Sequence, residues 1–262
     1  MSNIIAITNQ KGGVGKTTTS VNLAASLSAV KRDVLLVDID PQANATTGMG
    51  IDKHNQSQTL SDVLLGNGDV KDILVNIEGN AKFHVLPSSP EMTVAEIQLM
   101  EMDEREFCLK KVLEPIRDDY EYILIDCPPS LNMLTVNALV AADEVIIPMQ
   151  CEYYALEGLS ALLETISSIQ ASANPKLKLK GLLRTMFDPR SNLSRDVSNQ
   201  LNHHFADKLY NTSIPRNIRL AEAPSHGMPV LKYDKNSRGT LAYLAFAAEM
   251  LRKDNAASHS SH

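Results

Sequence analysis

The chain has 262 residues, of which 44% are hydrophobic and 21% charged, as in an ordinary globular protein that can bury a full core. No apolar run approaches the length of a membrane span, and the N-terminus enters a predicted strand directly, without the pattern of a secretory signal. The net charge of −6 argues against a protein coated in nucleic acid, so any DNA contact requires a local basic patch. Cys108, Cys127 and Cys151 form no C-x-x-C pair, which indicates free thiols in a reducing cytoplasm.

A glycine-rich segment, Lys11–Thr18, lies between the apolar run Ile4–Ile7 and a helical pattern at Val21–Leu27. A strand, a glycine loop and a helix in this order form the context of a phosphate-binding loop. Glycines let backbone N–H groups point at phosphate oxygens, and the helix N-terminus adds partial positive charge. The predicted nucleotide-binding residues of this loop are Gly12, Gly13, Val14, Gly15, Lys16, Thr17 and Thr18.

The loop departs from the strict pattern G-x-x-x-x-G-K-[ST] at one position. Gln10 stands where the pattern has its first glycine, and a second lysine, Lys11, follows it. By chemistry we expect Lys16 to reach the β- and γ-phosphates of its own nucleotide and the Thr17 hydroxyl to hold Mg²⁺.

Two later apolar runs end in aspartate, and both are predicted to be buried parallel strands. Val34–Asp38 leads into Asp40, and Tyr122–Asp126 leads into an irregular Cys-Pro-Pro-Ser turn. Because ligands bind at the carboxyl ends of parallel strands, these aspartates are candidates for the chemistry of a nucleotide site.

The other segments alternate between strand and helix patterns, without internal repeats. They predict one doubly wound, mainly parallel α/β sheet flanked by helices. We expect a single P-loop ATPase domain over residues 1–254 and a disordered tail at 255–262. The further predicted elements are a polar loop at 52–58, helices at 60–64, 91–102, 107–115, 156–169, 193–205 and 240–253, and strands at 83–86, 145–148, 177–183 and 208–214.

Taken together, the motifs resemble the ParA/Soj-type chromosome- and plasmid-partitioning ATPases, which belong to the deviant Walker A group of P-loop proteins with an extra lysine. The matching runs are Asn9–Thr18, Asp38–Gln42, Ile125–Ser130, Met149–Tyr153 and Ile214–Gly227. They cover nearly the whole chain, so the resemblance does not rest on one motif.

The resemblance implies roles for several residues. Lys11 would cross a dimer interface to the partner's phosphates, and Lys11, Lys16 and Asp40 would be catalytic, with Asp40 orienting the attacking water. Thr17, Asp40 and Asp126 would form the Mg²⁺ site, although Asp38 could lie nearer to the metal than Asp40.

Two further sets of residues resemble binding segments of the family. The base-binding set is Met186, Asp188, Pro215, Arg216 and Asn217. The DNA-binding set, a cluster of cations able to contact phosphates without reading sequence, is Arg219, Lys232, Lys235, Arg238, Arg252 and Lys253.

The implied function is an ATP- and Mg²⁺-dependent switch. It would form a homodimer with ATP, bind double-stranded DNA nonspecifically, and hydrolyse ATP slowly until a ParB-type centromere-binding partner accelerates the reaction. We expect a cytoplasmic, nucleoid-associated protein without membrane contact. The alternatives are a MinD-like membrane-associated ATPase, which the polar segment after Lys253 disfavours because it lacks an apolar face, and a metabolic P-loop ATPase.

Overall fold

The computed structural model describes residues 2–78 and 81–259. In that part of the chain, eight strands form one sheet in the order β3-β4-β2-β5-β1-β6-β7-β8, and every neighbouring pair is parallel except β3 with β4. The strands are β1 Asn3–Ile7, β2 Val34–Asp38, β3 Val75–Asn76, β4 Phe83–Leu86, β5 Tyr122–Asp126, β6 Glu144–Gln150, β7 Lys178–Phe187 and β8 Leu209–Pro215.

Helices connect these strands. They are α1 Lys16–Ala29, α2 Asn44–Gly48, α3 Leu60–Leu64, α4 Met92–Leu99, α5 Cys108–Leu113, α6 Met133–Ala141, α7 Ala155–Ser172, α8 Asn192–Phe205, α9 Ile218–Glu222, α10 Val230–Tyr233 and α11 Arg238–His259. Short 3₁₀ turns lie at Val70–Ile73, Arg105–Phe107, Glu114–Asp119 and Ala223–His226. No helix of the described ranges combines the length and apolar character that a bilayer crossing requires.

The strands bury both of their faces, as the continuous apolar runs predict. In β1, Ile4 and Ala6 join a core with residues of α3 to α8. Ile5 and Ile7 point to the other face and join a second core with α1 and α11. Successive side chains of a strand point to opposite faces, so a wholly apolar strand needs helices on both sides of the sheet. The predicted doubly wound, mainly parallel α/β fold is confirmed.

The bounds of β2, α3, β4 and β5 match the prediction, but α6 has no counterpart in it. Nearly all residues of α6 are buried, so its sequence lacks the polar stripe that marks an amphipathic helix. Its start is a cap that the sequence contains: the Asn132 side chain accepts a hydrogen bond from the Thr135 N–H at 3.1 Å.

The final helix is longer than predicted. Instead of residues 240–253, α11 spans Arg238–His259 and extends into the segment expected to be a disordered tail; residues 260–262 lie outside the described residues. Asp254 explains the extension. It accepts hydrogen bonds from Lys180 Nζ at 2.6 Å and from the Tyr122 hydroxyl at 2.9 Å. Lys180, whose side chain is 6% exposed, also pairs with Glu144. These contacts fasten the helix to the amino edge of the sheet.

We predict that Lys180→Met lowers the free energy of unfolding by about 3 kcal/mol, because it leaves two partly buried carboxylates without their cation. Urea denaturation followed by circular dichroism measures the change. The matched control is Lys111→Met, whose ion pair with Glu104 is exposed, and which should leave the midpoint unchanged. Equal midpoints for the two variants would contradict the anchoring role.

Candidate nucleotide and metal site

The site lies at the carboxyl edge of the sheet, where three central strands end side by side. The register pairs Ile7 of β1 and Asp38 of β2 with Asp126 of β5. This register places the loop after β1, the loop after β2 and the loop after β5 next to one another. The three motifs recognised in the sequence therefore form one site, as expected for a parallel α/β sheet.

Two glycines shape the predicted phosphate-binding loop. Gly13 and Gly15 have φ angles of 74° and 86°, in the left-handed region that residues with a Cβ rarely adopt. Gly15 directly precedes α1, so the chain turns into the helix at this point. Residues of β6 and β7 fix the loop by hydrogen bonds. The Thr185 hydroxyl donates to the Val14 carbonyl at 2.7 Å, and the Gln150 amide donates to the Gly13 carbonyl at 3.2 Å.

Lys16 begins α1 and is buried, with 7% of its surface exposed. Its Nζ donates to the Lys11 carbonyl at 3.2 Å, across the loop. Burial lowers the pKa of Lys16, while the negative charge of Asp126 acts in the opposite direction. The Lys16 ammonium group therefore lies inside the glycine loop, where it contacts the Lys11 carbonyl. An anion bound in the loop would compensate its charge.

Asp126 is fully buried at the end of β5. Its Oδ1 accepts a hydrogen bond from the Ser20 hydroxyl at 2.8 Å, and the Thr17 hydroxyl nearby acts to lower the pKa of this carboxylate. Among the residues that the structure describes, Oδ2 has no hydrogen-bond partner. Burial and the nearby charge of Asp38 raise the pKa of Asp126 well above its usual range.

Asp38 and Asp40 have different surroundings although only one residue separates them. The Asp38 carboxylate accepts three hydrogen bonds, two from the Thr46 backbone and hydroxyl at 2.8 Å and one from the Asp40 N–H at 3.1 Å. In the described part of the chain, the Asp40 carboxylate accepts one, from the Gln42 N–H at 2.9 Å. Asp38 is therefore occupied in holding the loop together, whereas Asp40 retains acceptor capacity.

These observations fit a divalent cation. A buried carboxylate with an unpartnered oxygen, a raised pKa and an adjacent hydroxyl is relieved of its desolvation cost by a bound cation. No group of three or more His, Cys, Asp or Glu side chains able to hold a metal occurs in residues 2–78 and 81–259. Mg²⁺ suits such a site, because it is commonly bound through one or two carboxylates together with phosphate oxygens. Thr17 and Asp126 are in contact, whereas Asp40 lies in the neighbouring loop.

Lys11 lies on the outer side of the loop, with 46% of its side chain exposed. Its Nζ pairs with Glu152 at 2.5 Å, and Glu152 is similarly exposed. An exposed ion pair of this kind contributes little to stability and exchanges readily. Lys11 is consequently available to a partner that approaches the loop from outside.

The predicted base-binding residues also lie at the carboxyl edge. Phe187 pairs with Pro215 in the sheet register, which brings the segments 186–188 and 215–217 together. Gln150 connects them to the loop, since its amide also approaches the Met186 sulfur at 2.8 Å. Arg216 is exposed, as its place in a turn suggests.

Two of the base-binding set already have partners within the chain. The Asn217 side chain accepts from the Leu220 N–H at 3.3 Å and caps α9. Asp188 pairs with Arg190, whose hydrogen bonds lower the pKa of Asp188 to about 2.

The structure divides the predicted DNA-binding residues into two groups. Lys232, Lys235 and Arg238 lie in α10, in the turn after it and at the start of α11, with Arg219 nearby in α9. Arg252 and Lys253 lie fourteen or more residues later on α11, roughly 21 Å away along the helix axis. They are near the amino edge of the sheet, beside the anchor formed by Asp254.

The basic residues also differ in their contacts. Arg219 pairs with Glu222 at 2.8 Å and with Asp234 at 3.3 Å, and Lys253 stacks over the Tyr210 ring. Lys232 donates to a backbone carbonyl at 3.0 Å. Within the described ranges, no salt bridge involves Lys235, Arg238 or Arg252.

Several residues that hold the site in place were not identified from the sequence. Ser20 lies one helical turn after Lys16, and that spacing could have indicated its contact with Asp126. Thr46 and Ser88 donate to Asp38 and to the Asp40 carbonyl, 8 and 48 residues away, and neither spacing carries such a signal.

Comparison with known proteins agrees with this geometry. A family model described as an AAA domain matches residues 2–179. The sporulation initiation inhibitor protein Soj of Bacillus subtilis is 52% identical over 95% of this chain and 98% of its own length. The chromosome partitioning protein ParA of Myxococcus xanthus is 48% identical over 96% of this chain and 88% of its own length.

A solved structure is also similar. Cobyrinic acid a,c-diamide synthase from Mycobacterium smegmatis, crystallised with an ATP analog and magnesium, superposes with a TM-score of 0.81 at 37% identity, covering 96% of this chain and 95% of that one. The Soj and ParA relatives, at 52% and 48% identity, are more similar to this chain than the diamide synthase is, and they also extend over almost the full chain. This chain belongs to the ParA/Soj family of chromosome-partitioning ATPases.

Proposed function

We propose that this protein is an ATP-dependent dimerising switch that binds DNA nonspecifically and hydrolyses ATP to drive DNA partitioning with a ParB-type partner. The observation that carries the proposal is the arrangement at the carboxyl edge of the sheet. Buried Lys16 lies inside the glycine loop, and exposed Lys11 lies outside it. Asp126, whose Oδ2 has no hydrogen-bond partner within the described ranges, is buried beside the loop at the end of β5. One cation thus serves the chain's own nucleotide, and the other is available to a second copy.

ATP and Mg²⁺ fit the groups that surround the loop. Bound Mg²⁺ would supply charge neutralisation for the phosphates. Thr17 and Asp126 would hold it, with Asp38 fixing the loop that carries Asp40. Lys16 would contact the β- and γ-phosphates, and Asp40 would orient the attacking water from its remaining acceptor positions. The crystallised relative with an ATP analog and magnesium supports this assignment.

DNA binding would depend on the dimer. Lys232, Lys235 and Arg238 form the principal group of cations in this proposal, with Arg219 partly neutralised by its acidic partners and with Arg252 and Lys253 as a second, distant group. A dimer doubles the number of phosphate contacts, and affinity rises steeply with that number. ATP binding would then control retention on DNA, in keeping with the net charge of −6 on the whole chain.

A metabolic ATPase is the second candidate, because the diamide synthase is 37% identical to this chain. The Soj and ParA relatives have higher identity, at 52% and 48%, which favours the switch. ATPase assays with DNA distinguish the two: a partitioning ATPase responds to DNA and partner together, whereas a small-molecule enzyme is indifferent to both.

We predict that Lys16→Ala weakens ATP binding by roughly 30-fold or more, because a buried cation that faces the phosphates is lost. Titration with a fluorescent ATP analogue measures the change. The control is Lys176→Ala, an exposed lysine near the start of β7 at the opposite edge, which should bind like the parent. Unchanged affinity in Lys16→Ala would remove Lys16 from the site.

We predict that Asp40→Ala keeps ATP binding and DNA retention but reduces turnover by about 100-fold or more, because the group that orients the water is missing. Phosphate release under single-turnover conditions measures the step. Asp40→Asn, which preserves the acceptor for the Gln42 N–H, separates the charge from the loop structure and should be equally slow. Hydrolysis at the parent rate in both variants would refute the role of Asp40.

We predict that replacing Lys232, Lys235 and Arg238 together with alanine removes DNA retention while ATP-dependent dimerisation persists. The log–log salt dependence of DNA affinity should lose a slope of about 3 per protomer. Gel shift and size-exclusion chromatography measure the two properties. The matched control replaces Lys71, Lys110 and Lys111, three exposed lysines elsewhere. A gel shift that the first triple change leaves intact would disprove this DNA site.

A further inference from the structure

Strand β8 contains an irregular segment shortly before the predicted base-binding residues. In the register of β7 with β8, Leu182 pairs with Leu209 and Arg184 pairs with Ser213, so a single residue of β7 lies opposite residues 210–212. These three residues are called the β8 bulge below. Extra residues of this kind bend a strand and redirect the side chains that follow, and they are common beside binding sites. The bulge therefore sets where the end of β8 lies relative to β7.

Two charged side chains hold the backbone of the β8 bulge from opposite sides. The Arg184 guanidinium donates through Nη2 to the carbonyls of Tyr210 and Asn211, at 3.0 and 2.9 Å. The Glu249 carboxylate of α11, which is 5% exposed, accepts from the N–H groups of Asn211 and Thr212, each at 2.8 Å. Burial raises the pKa of Glu249, but the hydrogen bonds from Thr212 and Asn211 outweigh it and lower the pKa below its ordinary value. The carboxylate is therefore charged at neutral pH.

These hydrogen bonds belong to the same two peptide groups. The Tyr210 carbonyl and the Asn211 N–H are the two ends of one peptide group, and the Asn211 carbonyl and the Thr212 N–H are the two ends of the next. A trans peptide group points its C=O and its N–H in opposite directions, so it can bridge a cation and a carboxylate that do not touch. Hydrogen bonds to charged groups are stronger than those between neutral groups. Arg184 and Glu249 thus hold the β8 bulge jointly, each through the dipoles that the other orients.

Arg184 is also connected to the surroundings of the predicted base site. Its Nη1 donates to the Ser198 hydroxyl of α8 at 2.8 Å, and its guanidinium lies 5.3 Å from the centroid of the Phe187 ring. Phe187 pairs with Pro215 in the sheet register. Within residues 2–78 and 81–259, no salt bridge involves Arg184. The charge of Arg184 is thus directed to the carbonyls of the bulge.

Strand β7 is irregular at the neighbouring level. Before the Phe187–Pro215 pair, two residues of β7 lie opposite one residue of β8. One of the two is Met186, whose φ angle of 48° lies in the left-handed region that residues other than glycine seldom adopt. Met186 belongs to the predicted base-binding set. Both segments of the predicted base site therefore follow irregular pairing, and their separation depends on how the two strands are held.

We infer that Arg184 and Glu249 are positioning residues for the nucleotide base: by holding the β8 bulge, they set the separation of the segments 186–188 and 215–217, which would contact adenine. The inference rests on the proposed function and adds to it two residues that govern base affinity without touching the base. Without them the bulge would relax toward regular pairing, and the segment 215–217 would shift along β7 by one or more residues, each corresponding to ~3.3 Å. The glycine loop receives its hydrogen bonds from β6 and β7, so the phosphate contacts would persist.

The test separates the base from the phosphates. Isothermal titration calorimetry of the full chain with Mg²⁺ compares a non-hydrolysable ATP analogue with tripolyphosphate, which carries the phosphates alone. In Arg184→Leu, affinity for the ATP analogue should fall about tenfold, comparable to the loss of one hydrogen bond to a charged group, and affinity for tripolyphosphate should not change. The control is Arg195→Leu, an exposed arginine on α8, which should bind both ligands like the parent.

Further variants test the shared peptide groups. Glu249→Gln keeps the size of the side chain but turns an amide donor toward one of the two N–H groups, so it should lower affinity for the ATP analogue in the same way. The double variant Arg184→Leu/Glu249→Gln should lose little more than either single variant, because both changes act on the same two peptide groups. Arg184→Lys, which replaces the fork of donors with a single ammonium group, should recover part of the affinity.

Three results would overturn the positioning role and leave the proposed function intact. They are equal losses for the ATP analogue and tripolyphosphate, unchanged affinity in both Arg184→Leu and Glu249→Gln, and fully additive losses in the double variant. Thermal unfolding followed by circular dichroism establishes that each variant is folded at the assay temperature; if Arg184→Leu is not, Arg184→Lys and Glu249→Gln decide. A parent that binds neither ligand would refute the proposed function and the inference together.

Discussion

Two carboxylates buried at the ends of adjacent strands, Asp38 and Asp126, set the conditions for the whole site. A charged carboxylate without water is costly unless hydrogen bonds or cations compensate it. Asp38 is compensated by three hydrogen bonds from the chain, whereas Asp126 keeps one oxygen without a partner in the described residues. The negative charge of Asp126 is therefore only partly compensated by the described residues, and a cation bound at Oδ2 would compensate the rest.

The glycine loop also contains a buried charge that needs compensation, and this charge is positive. Lys16 is buried beside Asp126, and its pKa is lowered by burial, so the loop is prepared for an anion in the way that the carboxylate is prepared for a cation. A nucleotide with its metal satisfies both groups together, and neither component does so alone. This mutual dependence explains why the loop, both acidic strand ends and α1 must be held in register by the sheet.

Charged side chains are unevenly distributed over the surface, although the net charge of the chain is negative. Basic side chains gather around α10 and the start of α11, while α4 and the segment after it are acidic. In the proposed function, DNA would contact the basic group and not the acidic segment, because like charges repel.

The sequence by itself determined the elements with strong local signals. Apolar runs ended by Asp38 and Asp126 predicted two central strands to the residue, and the glycine–lysine pattern predicted the loop. Sequence patterns could not predict α6, because both faces of this helix are apolar. The lengthening of α11 was likewise decided by the tertiary structure, through a contact between Lys180 and Asp254 across 74 positions. The tertiary structure also decided the contacts of Thr46 with Asp38 and of Ser88 with the Asp40 carbonyl. The fold determines which groups meet a buried polar atom, and no local sequence pattern indicates them.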